Sequence, residues 1–309
     1  VKSVDSCIHH SISVPDITSL KLRRLCLNVG SLEKPHYVLL RVTHSRLASD
    51  SHSSTAFSMI TVPVMVLQNL LPMPIEFRVL YRRDAGSSIV QSGTVESGKN
   101  IEITAVDGCA NEFYSILVRP VNSQFVWGRQ VIPIATEGKG ECELADLENS
   151  HTCIQYQYSY QRQGEIESSE TLLLNIFCSY WVINRTNETL FLAGKNETPV
   201  IRLPSADISV NFASIQPDPV TTPLQPFLFN TGSKKAVVRL RKGSSPWSPR
   251  VSLGKQNCTC VCIPAAAPFT LTDSLYSVSV KRLQEPFTAT QLITISPQYV
   301  FVNKTSMDL

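Results

Sequence analysis

A short phrase occurs three times in this chain. Val64-Met65-Val66-Leu67-Gln68-Asn69-Leu70-Leu71-Pro72 returns as Tyr180-Trp181-Val182-Ile183-Asn184-Arg185-Thr186, and again as Tyr299-Val300-Phe301-Val302-Asn303-Lys304-Thr305. Each copy is an apolar run that ends on an asparagine and a turn. Asn69 and Asn184 lie 115 positions apart, and Asn184 and Asn303 lie 119 apart. A near-constant period of that size exceeds a solenoid unit and fits a whole small domain. The chain therefore reads as an array of related modules.

The modules are β-built. No window sustains an apolar stripe at helical spacing, whereas period-two alternation is common. Ile75, Phe77, Val79 and Tyr81 alternate with Glu76, Arg78 and Arg82. Tyr156, Tyr158 and Tyr160 alternate with Gln155, Gln157 and Ser159, and Tyr276, Val278 and Val280 with Ser277, Ser279 and Lys281. Such segments predict half-buried antiparallel strands. Turns are expected at Asp84-Ala85-Gly86, Ser97-Gly98-Lys99-Asn100, Asp107-Gly108 and Asn230-Thr231-Gly232. Nineteen prolines weigh against helix interiors. Loops are expected from Ser45 to Thr55, from Glu137 to Ser150 and across the proline-rich Pro217 to Pro226. The fold class is all-β, a tandem of repeated antiparallel β-sandwich-like modules. Residues 1–60 read as the end of a preceding region, with strands near Lys21–Asn28 and Tyr37–Thr43. Residues 61–170 read as a first complete module, 171–290 as a second and 291–309 as the start of a third.

An asparagine after an apolar strand has a physical use. The chain must turn there while its peptide groups still find partners. An asparagine side chain bonds nearby backbone and tolerates left-handed torsions. Asn69, Asn184 and Asn303 are therefore read as structural, each pinning a turn, with Thr186 and Thr305 adding hydroxyl bonds. They support binding indirectly, because an array loses its surfaces if its modules lose shape.

Bulk composition narrows the function. Of 309 residues, 43% are hydrophobic, enough for packed cores, and only 17% are charged. That deficit of charge predicts surface covered by neighbouring parts of a larger protein, of which this chain reads as an excerpt. A net charge of +3 gives no concentrated basic face for nucleic acid. The longest apolar stretch, Thr171 to Ile183, is too short to span a bilayer as a helix. Nine cysteines cannot all pair within the chain, and their spacing forms no dense framework. Cys258, Cys260 and Cys262 would share one face of a strand, where neighbours two apart are poorly placed to bridge. Reduced thiols in a cytosolic protein are the expectation.

Catalytic signals are missing. There is no Walker loop, no dinucleotide glycine pattern and no Gly-x-Ser-x-Gly elbow. His9-His10 with Cys7 lacks a second ligand pair at zinc-like spacing. No cofactor, metal site or enzyme activity is expected. Basic clusters at Lys21-Leu22-Arg23-Arg24, at Arg82-Arg83 and from Lys234 to Lys242 read as solvated faces, with a weak contact to anionic lipid headgroups as the functional alternative. Trp127, Tyr158 and Trp247 are read as module core first and as a groove lining second.

The three phrases resemble the adaptor-binding region of the vacuolar protein sorting 13 family, which are bridge-like lipid transfer proteins. Val64 to Ile75 is similar to the family's opening module. Tyr180 to Thr186 is similar to its tyrosine-tryptophan strand and Asn-Lys-Thr turn. Phe287 to Asn303 is similar to the junction into the next module. The first copy departs with Leu70-Leu71, and the second has Arg185 for the usual lysine. That divergence points to an outlying member, the Golgi-associated one linked to Cohen syndrome. The resemblance implies recruitment of a lipid-transfer rod to organelle membranes, at Golgi, endosome or contact sites. The implied partners are membrane adaptor proteins that present short proline-containing motifs, and the implied location is cytoplasmic and peripheral.

One rival rests on the residues themselves. Asn184-Arg185-Thr186, Asn187-Glu188-Thr189, Asn196-Glu197-Thr198, Asn257-Cys258-Thr259 and Asn303-Lys304-Thr305 all fit the N-glycosylation pattern. With the cysteines, they describe an extracellular glycosylated β-sandwich array of a receptor or adhesion protein. Against it, Asn184 and Asn303 follow apolar strands, where burial leaves no room for a glycan.

Overall fold

The computed structural model describes residues 25–28, 36–47, 54–83, 86–107, 111–121, 124–134, 138–147, 152–160, 171–194, 200–205, 226–230, 236–253, 258–265 and 273–299. Asn303, Asn196, Asn257, Cys7, His9, His10, Lys21 to Arg24, Lys234, Lys235 and the Pro217–Leu224 stretch lie outside them. Among the described residues there is no α-helix, and the β class read from the sequence holds.

A small meander comes first: β1 (Leu25–Asn28), β2 (Tyr37–Leu47) and β3 (Ser54–Pro63) pair in sequence order. The strands expected near Lys21–Asn28 and Tyr37–Thr43 correspond to β1 and β2. The loop expected from Ser45 to Thr55 is shorter than that, because β2 and β3 stay paired out to Leu47 and Ser54.

The next strands are β4 (Met65–Leu70), β5 (Ile75–Arg83), β6 (Gly86–Val95), β7 (Asn100–Ile103) and β8 (Tyr114–Pro120). They are followed by β9 (Phe125–Val126), β10 (Ile132–Pro133), β11 (Gly138–Glu143), β12 (Ala145–Asp146), β13 (Cys153–Tyr160) and β14 (Leu172–Phe177). They build a five-stranded sheet in the order β11-β13-β14-β4-β7 and a four-stranded sheet β10-β8-β5-β6, with β9 and β12 as a side ribbon. One core holds the inward residues of both large sheets, including Leu67, Phe77, Ile116, Ile154 and Leu174.

The chain then continues through β15 (Tyr180–Asn184), β16 (Leu190–Ala193), β17 (Val200–Leu203), β18 (Phe227–Phe229) and β19 (Val237–Lys242). It ends its regular structure with β20 (Val251–Ser252), β21 (Cys258–Ile263), β22 (Ser274–Arg282) and β23 (Gln291–Pro297). Their sheets run β21-β22-β23-β15-β18 and β20-β19-β16-β17 around a second core. Strand for strand, this is the order of the first sandwich. The repeat in sequence is a repeat in topology.

Two further features depart from the sequence reading. Each five-stranded sheet contains one parallel pair, β4 with β14 and β15 with β23. The last strand of each sandwich returns beside its first, which no hairpin rule foresees. By this pairing, Leu172–Phe177 and Gln291–Pro297 join the sheets that precede them in the chain. The second departure lies within the loop expected from Glu137 to Ser150, where β11 takes up Gly138–Glu143 and β12 Ala145–Asp146. Its glycines mislead, because Gly140 pairs with Tyr156 and a Cβ there would sit 2.4 Å from the tyrosine hydroxyl. The aromatic side chain lies across the glycine and covers it.

Elsewhere the alternation holds. Ile75, Phe77 and Val79 are buried between less buried neighbours, as are Tyr276, Val278 and Val280. Val261 and Ile263 face inward, and this turns Cys258 and Cys260 to the surface.

Candidate interaction surfaces

Both described copies of the repeated asparagine are buried at the same corner. Asn69 Nδ2 donates to the carbonyls of Met73 and Val95, each at 2.9 Å, and its Oδ1 accepts from Leu71 N–H at 2.9 Å. Asn184 Nδ2 donates to the carbonyls of Glu188 at 2.8 Å, Leu203 at 3.2 Å and Pro204 at 2.8 Å. Its Oδ1 accepts from Thr186 N–H at 3.0 Å and from the Thr186 hydroxyl at 2.7 Å. In both, the oxygen serves the N–H two residues on and the nitrogen serves the carbonyl four residues on. The nitrogen also reaches the end of the facing sheet's edge strand, Val95 of β6 or Leu203 of β17. One amide thus closes the turn and ties the two sheets together. These side chains touch no solvent-facing surface, so they shape surfaces without forming one.

The second corner carries an extra clamp. Glu188 accepts a short hydrogen bond from Lys242 of β19 and another from Tyr276 of β22, one strand from each sheet. Burial opposes ionisation of Glu188, but the bonds from Lys242 and Tyr276 outweigh it and hold the carboxyl below its ordinary range.

The two sandwiches meet at Cys178 and Ser179. Asn230 Nδ2 donates to the Cys153 carbonyl at 2.7 Å, while its Oδ1 accepts from Ser179 N–H at 3.0 Å. Thr290 Oγ1 donates to the Cys178 carbonyl at 2.8 Å. Trp181 and Leu228 of the second sandwich are counted in the first core, and the Phe287 ring meets Trp181 edge-on at 5.0 Å. Burial pushes the Cys178 thiol up to about 12.

The aromatic residues divide. Tyr158 is core, with its hydroxyl donating to the Pro133 carbonyl at 2.7 Å. Trp127 and Trp247 are half-buried, and arginines lie over them rather than core. Arg78 and Arg119 stand 4.0 and 5.0 Å from the Trp127 ring centre. Arg241 stands 4.7 Å from Trp247 and 5.3 Å from Phe191. Trp247 reaches that position because the chain reverses after β19: Ser248 N–H donates to the Leu240 carbonyl and Ser248 Oγ accepts from Leu240 N–H. Sequence reading did not find these stacks. The alternation of Arg239 and Arg241 with Val238 and Leu240 was the available signal, since it puts both arginines on one face of a strand.

Sheet edges are the other surface, although Gln130 partly caps β11, its Oε1 accepting from Glu143 N–H at 2.6 Å and its Nε2 donating to the Glu141 carbonyl at 3.4 Å. β11 and β21 are edge strands at equivalent positions, and β7 and β18 close the opposite side of their sheets. Among the described residues no cluster of three or more His, Cys, Asp or Glu side chains is placed to hold a metal ion, and no helix is long and apolar enough to cross a membrane. Asn184 has 3% exposure and commits its amide nitrogen to three carbonyls, so this sequon takes no glycan in the folded protein.

A family model described as vacuolar-sorting associated protein 13, adaptor binding domain, matches residues 37–309. No curated protein matches the chain. Among solved structures, the pilus adhesin SpaC from Lactobacillus rhamnosus GG matches at 10% identity with a TM-score of 0.23, over 85% of this chain and 33% of the adhesin. Its open conformation matches at 8% identity with a TM-score of 0.24, over 85% of this chain and 34% of that one. The chain spans about a third of the adhesin, and a likeness at this level carries no argument.

Proposed function

Because the chain belongs to the vacuolar protein sorting 13 family, as part of its adaptor-binding domain, we propose that it helps recruit a bridge-like lipid transfer protein to organelle membranes and contact sites, Golgi or endosome among them. It acts as a non-catalytic interaction region. Its partners are membrane adaptor proteins, engaged through short proline-containing segments. The observation that carries this reading is the family match across residues 37–309, which takes in both sandwiches.

The architecture is suited to the role. An extended segment adds to a sheet edge such as β21 through main-chain hydrogen bonds, and side-chain pockets supply selectivity. Proline in the ligand lowers its ordering cost. The units that do this run, on strand pairing, from 64 to 178 and from 179 to 297. Asn69 and Asn184, with Asn303 by its place in the sequence, keep those edges in shape. Basic side chains such as Arg82 add at most a weak attraction to anionic headgroups, about 1 kcal/mol each near a membrane surface.

Affinity capture with the 309-residue chain, followed by proline scanning of the bound segment, tests the proposal. Captured adaptors should lose binding when one or two prolines are replaced. Capture of no protein, or capture indifferent to every proline, would refute it.

A further inference from the structure

A matched position on the outer face of the four-stranded sheet distinguishes the two sandwiches. Seven residues after the corner asparagine stands Glu76 in the first and Phe191 in the second. Each lies opposite an arginine of the neighbouring strand: Glu76 pairs with Arg119, and Phe191 with Arg241. Each arginine lies over a tryptophan, Trp127 or Trp247. In the first sandwich the arrangement is complete, because Arg119 Nε and Nη2 donate to Glu76 Oε2 at 3.1 and 2.8 Å. In the second the carboxylate is missing. Arg241 has no carboxylate partner among the described residues, and its Nε is buried without an acceptor.

The surroundings sharpen the contrast. The strands of this sheet, β16, β17, β19 and β20, carry no aspartate or glutamate; Arg202 and Arg239 stand on the same outer face, and Arg239 Nε donates to the Ser248 carbonyl at 2.9 Å. Arg202 lies directly across Phe191 from Arg241. A guanidinium held over aromatic rings has lost much of its freedom, so it binds a carboxylate at lower entropic cost than a free side chain. Forked Arg–carboxylate pairing is also directional, which gives selectivity over a point charge.

We propose that this outer face docks an acidic segment of a partner protein, whose carboxylate pairs with the solvent-facing end of the Arg241 guanidinium, because the Phe191 side chain fills the position that Glu76 holds beside Arg119. The inference rests on the adaptor-binding reading and names the chemistry of one partner segment. A protein carboxylate is favoured over a phosphate because the sibling sandwich is satisfied by a carboxylate. The apolar Phe191 and Trp247 beside the guanidinium also suit the alternate side chains of an extended peptide.

The test is fluorescence anisotropy with the 309-residue chain and a labelled peptide carrying two Glu-Glu pairs between apolar residues, against its glutamine analogue. The glutamate peptide should bind at least tenfold more tightly than the analogue and weaken as salt is added. Phe191→Glu installs the first sandwich's own carboxylate. It should weaken the peptide at least tenfold while the melting temperature holds or rises. Arg241→Lys should weaken it similarly, because an ammonium cannot reproduce the fork. Equal binding of the two peptides, or unchanged binding by Phe191→Glu, would overturn the proposal. So would phosphatidylserine vesicles that bind through Arg241 where the peptide does not. Adaptor capture separates the two readings: capture unaffected by Phe191→Glu sinks this face alone, whereas no capture by the unaltered chain sinks the adaptor reading as well.

Discussion

Replacing Asn69 or Asn184 by serine shortens the side chain that serves backbone groups on two sheets at once. Each buried carbonyl or N–H left without a partner costs about 1–3 kcal/mol. The melting temperature of either variant should fall by on the order of 10 °C, and membrane recruitment in cells should fall with it. Normal melting and normal localisation would remove the structural role. Glu188 gives a pH prediction. Its folded pKa is depressed, so its contribution is present above the unfolded value of about 4.3 and is lost as pH falls through the folded one. The melting temperature should drop below about pH 4, and Glu188→Gln should flatten that part of the curve. The cysteines divide by burial: it pushes the Cys142 thiol up to about 11, while Cys258 and Cys260 are exposed. Maleimide labelling of the native protein should modify Cys258 and Cys260 and spare Cys142 and Cys178, as read by peptide mass spectrometry.

At the scale of elements, the half-buried strands were legible because one face meets a core and the other does not. β5 and β22 show the expected period of two, and the strand-then-asparagine phrase marks β4 and β15. β11 was hidden by the opposite cause. It is an edge strand with little to bury, and Gly140 stands where a side chain would collide with Tyr156. Gly140→Val should therefore detach β11 from β13, seen as faster amide exchange along Gly138–Glu143 than in the unaltered chain, which keeps the Tyr156 ring over Gly140. If exchange is unchanged, the ring does not occupy that space.

The whole molecule is more than two sandwiches in a row. Trp181 belongs by chain order to the second but packs into the first core, and Phe287 returns to cover both Trp181 and the Gly98 turn of the first. With Asn230 and Thr290 bonded across the junction, relative motion of the units is opposed by packing as well as by hydrogen bonds. Trp181→Ala should cost about 3–5 kcal/mol and split one calorimetric transition into two. A single transition at the original temperature would mean that the junction does not couple them.

What the sequence settled alone was local and periodic: the half-buried strands, the β class, and the repeat that puts Asn69 and Asn184 at matching corners. Those follow from side-chain alternation and from the needs of a chain leaving a strand, which neighbouring residues report. Tertiary structure decided which strands are neighbours. The parallel closure of β4 by β14, the tryptophan shared between cores and the arginine left without a carboxylate opposite Phe191 all depend on residues far apart in the chain. Their contact energy exists only after the sheets have assembled, so no local pattern announces it.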